Sequence, residues 1–327
     1  MLARIAHQLY WIGRYVARAD ATARMLEGVS TVAVQARPRS RTDMRLSWDS
    51  LLAIMGVPLH DGSPPTRETV IQRLVLAEDQ DASIVASVRA GRELARTVRE
   101  VISADMWEVI NTLHLELRDV DVTSLRAAPH SLYELVKSRV SLFWGVQAQT
   151  MLRDEAHAFL EAGHRLESAT MMVRMLRVSL REELSDADPS STIRRDEGAV
   201  SLLLSTGGLD AFRRLERGPH DAVAVARFLL GERTYPHSVA AALDVLRDCL
   251  DEVDSDPRRS PPLLRLARLS AEIEFRGGGG VADDVGGLLF DVQDELAQTD
   301  QELAERYFVG TERYIVGSDI LHPTLTI

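Results

Sequence analysis

The feature that most constrains this chain is an apolar seam close to its N-terminus. The seam residues recur at alternating spacings of four and three: Ile5, Leu9, Ile12, Val16, Ala19, Ala23 and Leu26. Such a spacing, sustained over this length, is typical of a long helix packed inside a bundle. It predicts one continuous helix over residues 2–34.

Helical spacing continues through most of the remaining chain. It predicts helices over Trp48–Met55, from Arg67 behind a Thr66 cap, over 82–117, and from Ser131 to Glu155 or beyond. Asp105 is the expected cap where the helix over 82–117 divides. Expected loops or breaks lie at 36–40, 62–65, 185–197, 207–208, 218–219, 235–236, 261–262 and 277–280. No segment alternates like a strand, so we predict an all-α fold.

A shifted copy of the first helix occurs 150 residues later in the chain. Gly13, Ala19, Arg24, Met25 and Leu26 align as identities with Gly163, Ala169, Arg174, Met175 and Leu176. We therefore interpret residues 1–327 as a single helical domain with two pseudo-repeated halves, about 1–150 and 151–327. Chance similarity between amphipathic helices is the alternative.

The basic residues are almost all arginine, because Lys137 is the one lysine among 38 basic side chains. Its surroundings fit neither a Walker-type phosphate loop nor a Schiff-base enzyme. The net charge of −11 argues against a broad surface for nucleic acid or anionic membrane. A GC-rich genome would account for this preference for arginine over lysine. Each strong cation is nevertheless a planar guanidinium that suits carboxylate or phosphate.

Several other classes of protein are disfavoured by missing sequence features. The single Cys249 excludes an internal disulfide and multi-cysteine metal sites. No apolar run approaches the ~20 residues of a membrane span, and charged residues interrupt the N-terminus where a secretory segment would lie. Glu161 and His164 have the Glu-x-x-His spacing of di-iron bundles, but no second copy occurs. We expect a cytoplasmic chain that binds no metal or cofactor itself.

Two helix faces concentrate arginine. On the first helix, Trp11, Arg14 and Arg18 lie roughly opposite the seam, and Asp20 and Arg24 form an i,i+4 pair on its flank. Because aromatic residues accompany these charges, we expect a second contact there, inside the bundle or with a partner chain. An exposed face, a buried ion network and an anion site are the alternatives.

The second face is an arginine stripe, formed by Arg89, Arg92, Arg96 and Arg99. Such a row repels itself unless carboxylates or a phosphate lie opposite, so it is either a binding surface or a stripe balanced by acids of another helix. Four glutamates near the two faces are the candidate acid/base residues: Glu93, Glu100, Glu108 and Glu167.

With these motifs in view, the chain resembles the alpha-E domain family, bacterial all-helical proteins named for a Glu-Arg motif. Three stretches carry the resemblance: the opening 2–20, the middle segment 92–108, and the Pro-x-Ser-Val segment at 236–239. Together they span nearly the whole chain.

The Glu-Arg motif itself is degenerate in this chain. The first copy reads Ala17-Arg18 and the copy in the repeat reads Glu167-Ser168, so each has lost a different member. Leu94 also replaces an expected polar residue. We hypothesise that Arg18 and Glu167 meet across the two halves as one composite pair.

The resemblance implies a partner. Family members occur alone, fused to or encoded near circularly permuted ATP-grasp proteins, often with transglutaminase-like proteins, in systems that form amide bonds with ATP. The implied role is an accessory subunit whose arginines contact an acidic or peptide substrate or the partner enzyme, with ATP and Mg²⁺ bound by that partner. The alternatives are a stand-alone enzyme that acts on the ligase product through the four glutamates, and a scaffold that dimerises through Trp11 and Tyr15.

Overall fold

The computed structural model describes residues 1–35, 48–57, 65–120, 122–179, 192–216, 222–276 and 285–309. Every regular element within these ranges is helical. The helices are α1 (Ala3–Gln35), α2 (Trp48–Met55), α3 (Arg67–Ile71), α4 (Ile84–Thr97), α5 (Ala104–Arg118), α6 (Val122–Ala127), α7 (Pro129–Thr150), α8 (Glu155–Ser179), α9 (Thr192–Thr206), α10 (Leu209–Leu215), α11 (Ala222–Gly231), α12 (Val239–Val253), α13 (Pro261–Phe275) and α14 (Val285–Tyr307). The all-α prediction is confirmed.

Two long helices, α1 and α8, form the centre of the bundle. Helix α1 packs against α4, α7, α8 and α9, while α8 also packs against α12 and α14. The seam of α1 is buried from Leu9 to Leu26, with Ile5 half-buried at its start. Because neighbours surround α1, the opposite face is buried too, and the second contact expected for that face lies inside the bundle.

The two central helices cross at a pair of glycines. A Cβ on Gly13 would collide with the carbonyl oxygen of Leu160, and a Cβ on Gly163 would collide with that of Tyr10. Each backbone thus lies against the other, which only glycine permits at such close approach. The contact is reciprocal, as it is for two helices related by a twofold axis. The internal repeat itself stays an interpretation.

Local sequence signals predicted the end of one helix and the start of another correctly. Helix α2 ends at Met55 as predicted, and the hydroxyl of Thr66 accepts a hydrogen bond from the Thr69 amide at the start of α3. The break in the second long helix is also present, but the predicted cap is wrong. Ser103 caps α5, because its Oγ accepts from the Met106 amide while Asp105 lies inside the first turn.

Two other predicted boundaries are wrong. The helix expected from Ser131 to Glu155 ends at Thr150, because the Asp154 carboxylate caps a new helix by accepting from the amides of Ala156 and His157. Of the loop expected over 185–197, residues 185–191 lie outside the described residues and residues 192–197 are helical. The predicted breaks at 36–40, 62–64, 218–219 and 277–280 lie outside the described residues.

In the described part of the chain, no helix has both the length and the apolar composition that crossing a bilayer requires.

Candidate functional site

Five buried side chains at the bundle centre form a charged cluster, here called the central ion network: Tyr10, Arg14, Arg18, Glu167 and Asp300. The Nε of Arg14 donates to Glu167 Oε2 at 2.8 Å, and its Nη1 donates to Asp300 Oδ2 at 2.5 Å. The Nε of Arg18 donates to the other oxygen, Glu167 Oε1, at 2.6 Å. The hydroxyl of Tyr10 donates to Asp300. One carboxylate therefore joins two arginines.

Helical spacing explains how α1 supplies three of these groups. Tyr10, Arg14 and Arg18 are four residues apart, so they follow one another along a single face. That face meets α8, which carries Glu167, and α14, which carries Asp300. The network thus ties three helices together.

The electrostatics of the network favour ionised partners. Burial alone would raise the pKa of Glu167, but the guanidinium groups of Arg18 and Arg14 outweigh burial and lower it to about 2. Burial and the nearby Asp300 carboxylate raise the pKa of Tyr10, so its hydroxyl stays protonated and donates. A buried charge of this kind is tolerated only when it is fully paired.

The composite Glu-Arg pair predicted from the sequence is present. Arg18 from α1 and Glu167 from α8 are 149 positions apart in sequence, yet their side chains are hydrogen-bonded and buried. The side chain of Glu167 is only 1 % exposed, which leaves its oxygens committed to protein donors. The pair therefore holds the helices together, and its carboxylate is unavailable to an external ligand.

Trp11 and Tyr15 lie beside this network. Tyr15 is buried, and Trp11 lies half-buried between the rings of His7 and Tyr15 with the Arg14 guanidinium 4.9 Å from its ring. Of the two residues expected at a homodimer contact, Tyr15 therefore lies inside the bundle, while Trp11 keeps part of its surface exposed.

The arginine stripe, in contrast, lies at the surface. Arg92 and Arg99 place their guanidinium groups 5.3 and 4.9 Å from the ring of Trp107 on α5. Arg96 is 58 % exposed and donates to Glu93 at 3.1 Å. A guanidinium group that stacks on a tryptophan is held in place by attraction to the ring and keeps N–H donors free for other partners.

One alternative expected acids of another helix to balance the stripe. Among the described residues, its carboxylate partners come instead from α4 itself and from the turn before it. Arg89 pairs with Glu78 in the preceding turn at 2.6 Å, and Arg92 pairs with Glu93 of its own helix while its Nε donates to Asn111. Arg99 has no carboxylate partner among the described residues. The stripe thus keeps one unpaired guanidinium at the surface.

Two of the four candidate glutamates, Glu93 and Glu167, have a lowered pKa, whereas a proton donor at neutral pH requires a raised one. The pKa of Glu93 is lowered because, although burial opposes it, Arg92 and Arg96 donate hydrogen bonds to the carboxylate. That of Glu167 is about 2. Glu100 and Glu108 are exposed.

The last predicted pair, Asp20 and Arg24, lines a cavity of about 290 Å³, here called the polar cleft. The Nε of Arg24 donates to Asp20 Oδ2 at 2.7 Å. Its lining also includes the aromatic and basic side chains Trp144, His164, Arg165 and His237. The ring of His164 stacks on that of Trp144 with centroids 3.9 Å apart and planes 10° apart.

Both histidines of the polar cleft are neutral at pH 7. Burial lowers the pKa of His164 despite the nearby Glu161 carboxylate. Burial and the Arg24 charge lower that of His237 to about 4. Glu161 is committed to Arg165, which donates to it at 2.6 Å. The cleft lining therefore includes two arginines, Arg24 and Arg165, one carboxylate and two neutral imidazoles.

Sequence reasoning missed Tyr10, Asp300 and the two cleft histidines as site residues. Tyr10 was detectable, because it precedes Arg14 by one helical turn. Asp300 and His237 have no local signal, since only the packing of distant helices brings them to α1.

One group among the described residues has the geometry of a metal site: Glu27, His130 and Glu134, whose ligand atoms lie within 4.8 Å of one another. The Lys137 ammonium already binds both carboxylates, with its bond to Glu134 at 2.6 Å. That ammonium supplies the positive charge that the two carboxylates require.

Comparison with known proteins connects these features to a family. A sequence model named Alpha-E, described as a predicted alpha-helical domain with a conserved ER motif, matches residues 1–308. An uncharacterized protein of Mycobacterium bovis is 25 % identical over 282 residues, covering 79 % of this chain and 31 % of that protein. Uncharacterized proteins from two strains of Mycobacterium tuberculosis match at 25 % and 24 %. The chain spans about a third of the length of these curated relatives. No solved structure matches it significantly.

Proposed function

The chain belongs to the Alpha-E family, and from this membership we propose that it is a helical accessory module of an ATP-dependent amide-ligase system, acting by binding a larger partner. The observation that carries the proposal is the length of the relatives. In them the matching segment makes up 31 % of the protein, so the module occurs beside a much larger remainder. The partner that the family resemblance implies is a circularly permuted ATP-grasp protein, with a transglutaminase-like protein as a further member of the system.

The partner surface that we propose is the arginine stripe. Arg14 and Arg18 of α1 satisfy Glu167 and Asp300 inside the bundle, so of the two arginine faces predicted from the sequence the α4–α5 surface is the exposed one. Arginine and tryptophan are the residue types most enriched among the residues that dominate binding energy at interfaces. Arg96, Arg99 and Trp107 form such a group here, and an acidic surface on the partner or an acidic substrate is its complement.

The chemistry of the system belongs to the partner in this proposal. Lys137, which pairs with two glutamates, is the one lysine of the chain, so no phosphate-binding lysine is available. ATP and Mg²⁺ would bind to the ATP-grasp protein. Because ATP is an intracellular substrate, we also propose a cytoplasmic location.

Association with the ATP-grasp protein encoded in the same genome tests the proposal. The full chain and that protein are mixed at micromolar concentrations and followed by sedimentation velocity and titration calorimetry. We expect a complex with the unmodified chain, and at least roughly tenfold weaker binding for the double variant R96E/R99E, since like charges would face each other.

A matched control uses two arginines in the last turn of α10, Arg213 and Arg214, which are exposed like Arg96 and Arg99. The variant R213E/R214E has the same change in net charge and should bind like the unmodified chain. Absence of any complex would refute the accessory role, and equal loss in both double variants would refute the arginine stripe as the docking surface.

A further inference from the structure

Arg174 on α8 is a half-buried cation whose guanidinium group forms no hydrogen bond or salt bridge with any described residue. On α1, the aligned residue Arg24 pairs with Asp20 one helical turn earlier. One turn before Arg174 the residue is Thr170, whose hydroxyl donates to the Leu166 carbonyl oxygen. Arginine side chains that are largely withdrawn from water are normally paired, so the charge of Arg174 is left unbalanced in the described part of the chain.

Other arginines surround Arg174 more closely than acids do. Its helix carries Glu167 two turns earlier on the same face, but that carboxylate already accepts hydrogen bonds from the arginines of α1. Burial lowers the pKa of Arg174, and the Glu167 carboxylate raises it too weakly to compensate. Three neighbouring arginines lower the pKa of Arg174 as well: Arg18, Arg14 and Arg177. Arg174 therefore lies in a region of excess positive charge.

Arg18 has unused donors in the same region. Its Nε donates to Glu167 at 2.6 Å, whereas its Nη1 and Nη2 have no hydrogen bond to any described residue. The Arg18 side chain is 10 % exposed and Arg174 is half-buried, so solvent reaches both side chains. Unlike Nε of Arg265, which is enclosed without a partner, none of these free nitrogens is cut off from solvent. Asp81, on which the charge of Arg18 acts, forms no salt bridge with it among the residues described.

A carboxylate is the ligand that fits these donors best. A guanidinium group presents two parallel N–H donors that match the two oxygens of a carboxylate or two oxygens of a phosphate. The two arginines of the central ion network are balanced by its two carboxylates, which leaves the single charge of Arg174. One carboxylate balances that charge, whereas a phosphate group, at about −1.5 to −2, would place surplus negative charge beside Glu167.

We propose that Arg174 and the Nη groups of Arg18 bind the carboxylate of a small acidic molecule, beside the central ion network and between α1 and α8. Glu167 then has a second role, because its bond to Nε holds Arg18 with both Nη groups free for the ligand. This site is separate from the arginine stripe. The inference rests on the proposed function only for the source of the ligand, because an amide ligase joins a carboxylate to an amine.

The test uses the full chain alone, so its failure is distinct from failure of partner binding. Arginine Nε–H signals of ¹⁵N-labelled protein are followed during titration with acetate at constant ionic strength, and the Arg174 signal is assigned by its disappearance in R174M. We expect acetate to shift that signal saturably at millimolar concentration, and the neutral isostere acetamide to leave it unchanged. If acetate has no effect, or shifts the signals of exposed Arg213 and Arg214 equally, the proposal is wrong.

Inorganic phosphate distinguishes the two kinds of oxyanion in the same experiment. It should shift the Arg174 signal only at higher concentration than acetate does, because of its surplus negative charge beside Glu167. Tighter binding of phosphate than of acetate would refute the assignment of the site to a carboxylate.

Urea unfolding separates ligand binding from a purely structural role. Acetate at roughly ten times its Kd should lower the unfolding equilibrium constant of the unmodified chain about tenfold, and should have no such effect on R174M or R174Q. Without acetate, R174M should be at least as stable as the unmodified chain, because methionine keeps an apolar stem and removes an unpaired charge. Marked destabilisation would show that Arg174 already has its counter-ion within the chain, and would refute the proposal.

The matched control is R227M on α11. Arg227 is exposed and forms no salt bridge with the residues described, so this variant has the same change of side chain and charge away from the site. R227M should keep the full response to acetate. If R174M responds to acetate as R227M does, the carboxylate does not bind at Arg174.

Discussion

Replacing Glu167 with glutamine removes the charge that holds the central ion network together. The glutamine keeps the shape of the side chain, but Arg14 and Arg18 lose their shared counter-ion while both remain buried. The pKa of Glu167 falls from 4.5 to about 2 in the folded chain. At ~1.4 kcal/mol per pKa unit, the ionised form stabilises the fold by about 3 kcal/mol. That figure agrees with the ~3–5 kcal/mol expected when one partner of a buried ion pair is removed.

The effect should depend on pH in a defined direction. Because the folded-state pKa of Glu167 is lower than its unfolded value, the stability it contributes is complete above pH 4.5 and is lost as the pH falls towards 2. Urea unfolding at pH 7 should show E167Q less stable by about 3 kcal/mol. The difference from the unmodified chain should shrink below pH 4.5.

Glu108 provides the control for this experiment, because it is exposed and has no ion pair among the described residues. E108Q should change stability by less than ~0.5 kcal/mol at any of these pH values. If E167Q is as mild as E108Q, or if its loss of stability is independent of pH, the charge of Glu167 does not stabilise the fold.

Two further predictions concern the helix crossing and the polar cleft. G13A and G163A should each destabilise the chain by several kcal/mol in urea unfolding, because the new Cβ collides with a backbone carbonyl. The control is G145A, which has open space around the new Cβ and should stabilise α7 by up to ~1 kcal/mol. The folded-state pKa of His237 is about 4 and its ordinary value 6.5, so the stability from neutral His237 is complete above pH 6.5 and lost towards pH 4. H237Q should therefore lose less stability than the unmodified chain across that range, and an equal loss in both proteins would contradict it.

The sequence predicted those parts of the fold that depend on neighbouring residues. The seam of α1, the end of α2 and the Thr66 cap each depend on residues within one or two helical turns, so periodicity and capping rules predict them. One predicted boundary was wrong because two polar residues could cap the same helical turn. Ser103 was overlooked beside Asp105 because either side chain is a good cap, and only the position of the first helical turn decides between them.

Only the part of the central ion network that belongs to the Glu-Arg motif could be predicted from the sequence. Alignment of the two central helices pointed to Arg18 and Glu167, and the structure joins them. Asp300 is 290 positions away from Tyr10 in sequence, and its bond to Tyr10 depends on how α14 packs against α1. Which arginine face would be buried was also undetermined, because charge spacing does not reveal which neighbouring helix covers it.

The accessory role is tested by measuring ADP release by the ATP-grasp partner while this chain is titrated in. We expect a saturable change in turnover as the chain is added. For R96E/R99E the midpoint of that titration should move to at least roughly tenfold higher concentration, while R213E/R214E keeps the original midpoint. If turnover does not respond to the unmodified chain at any concentration, the chain is not an accessory module of this enzyme.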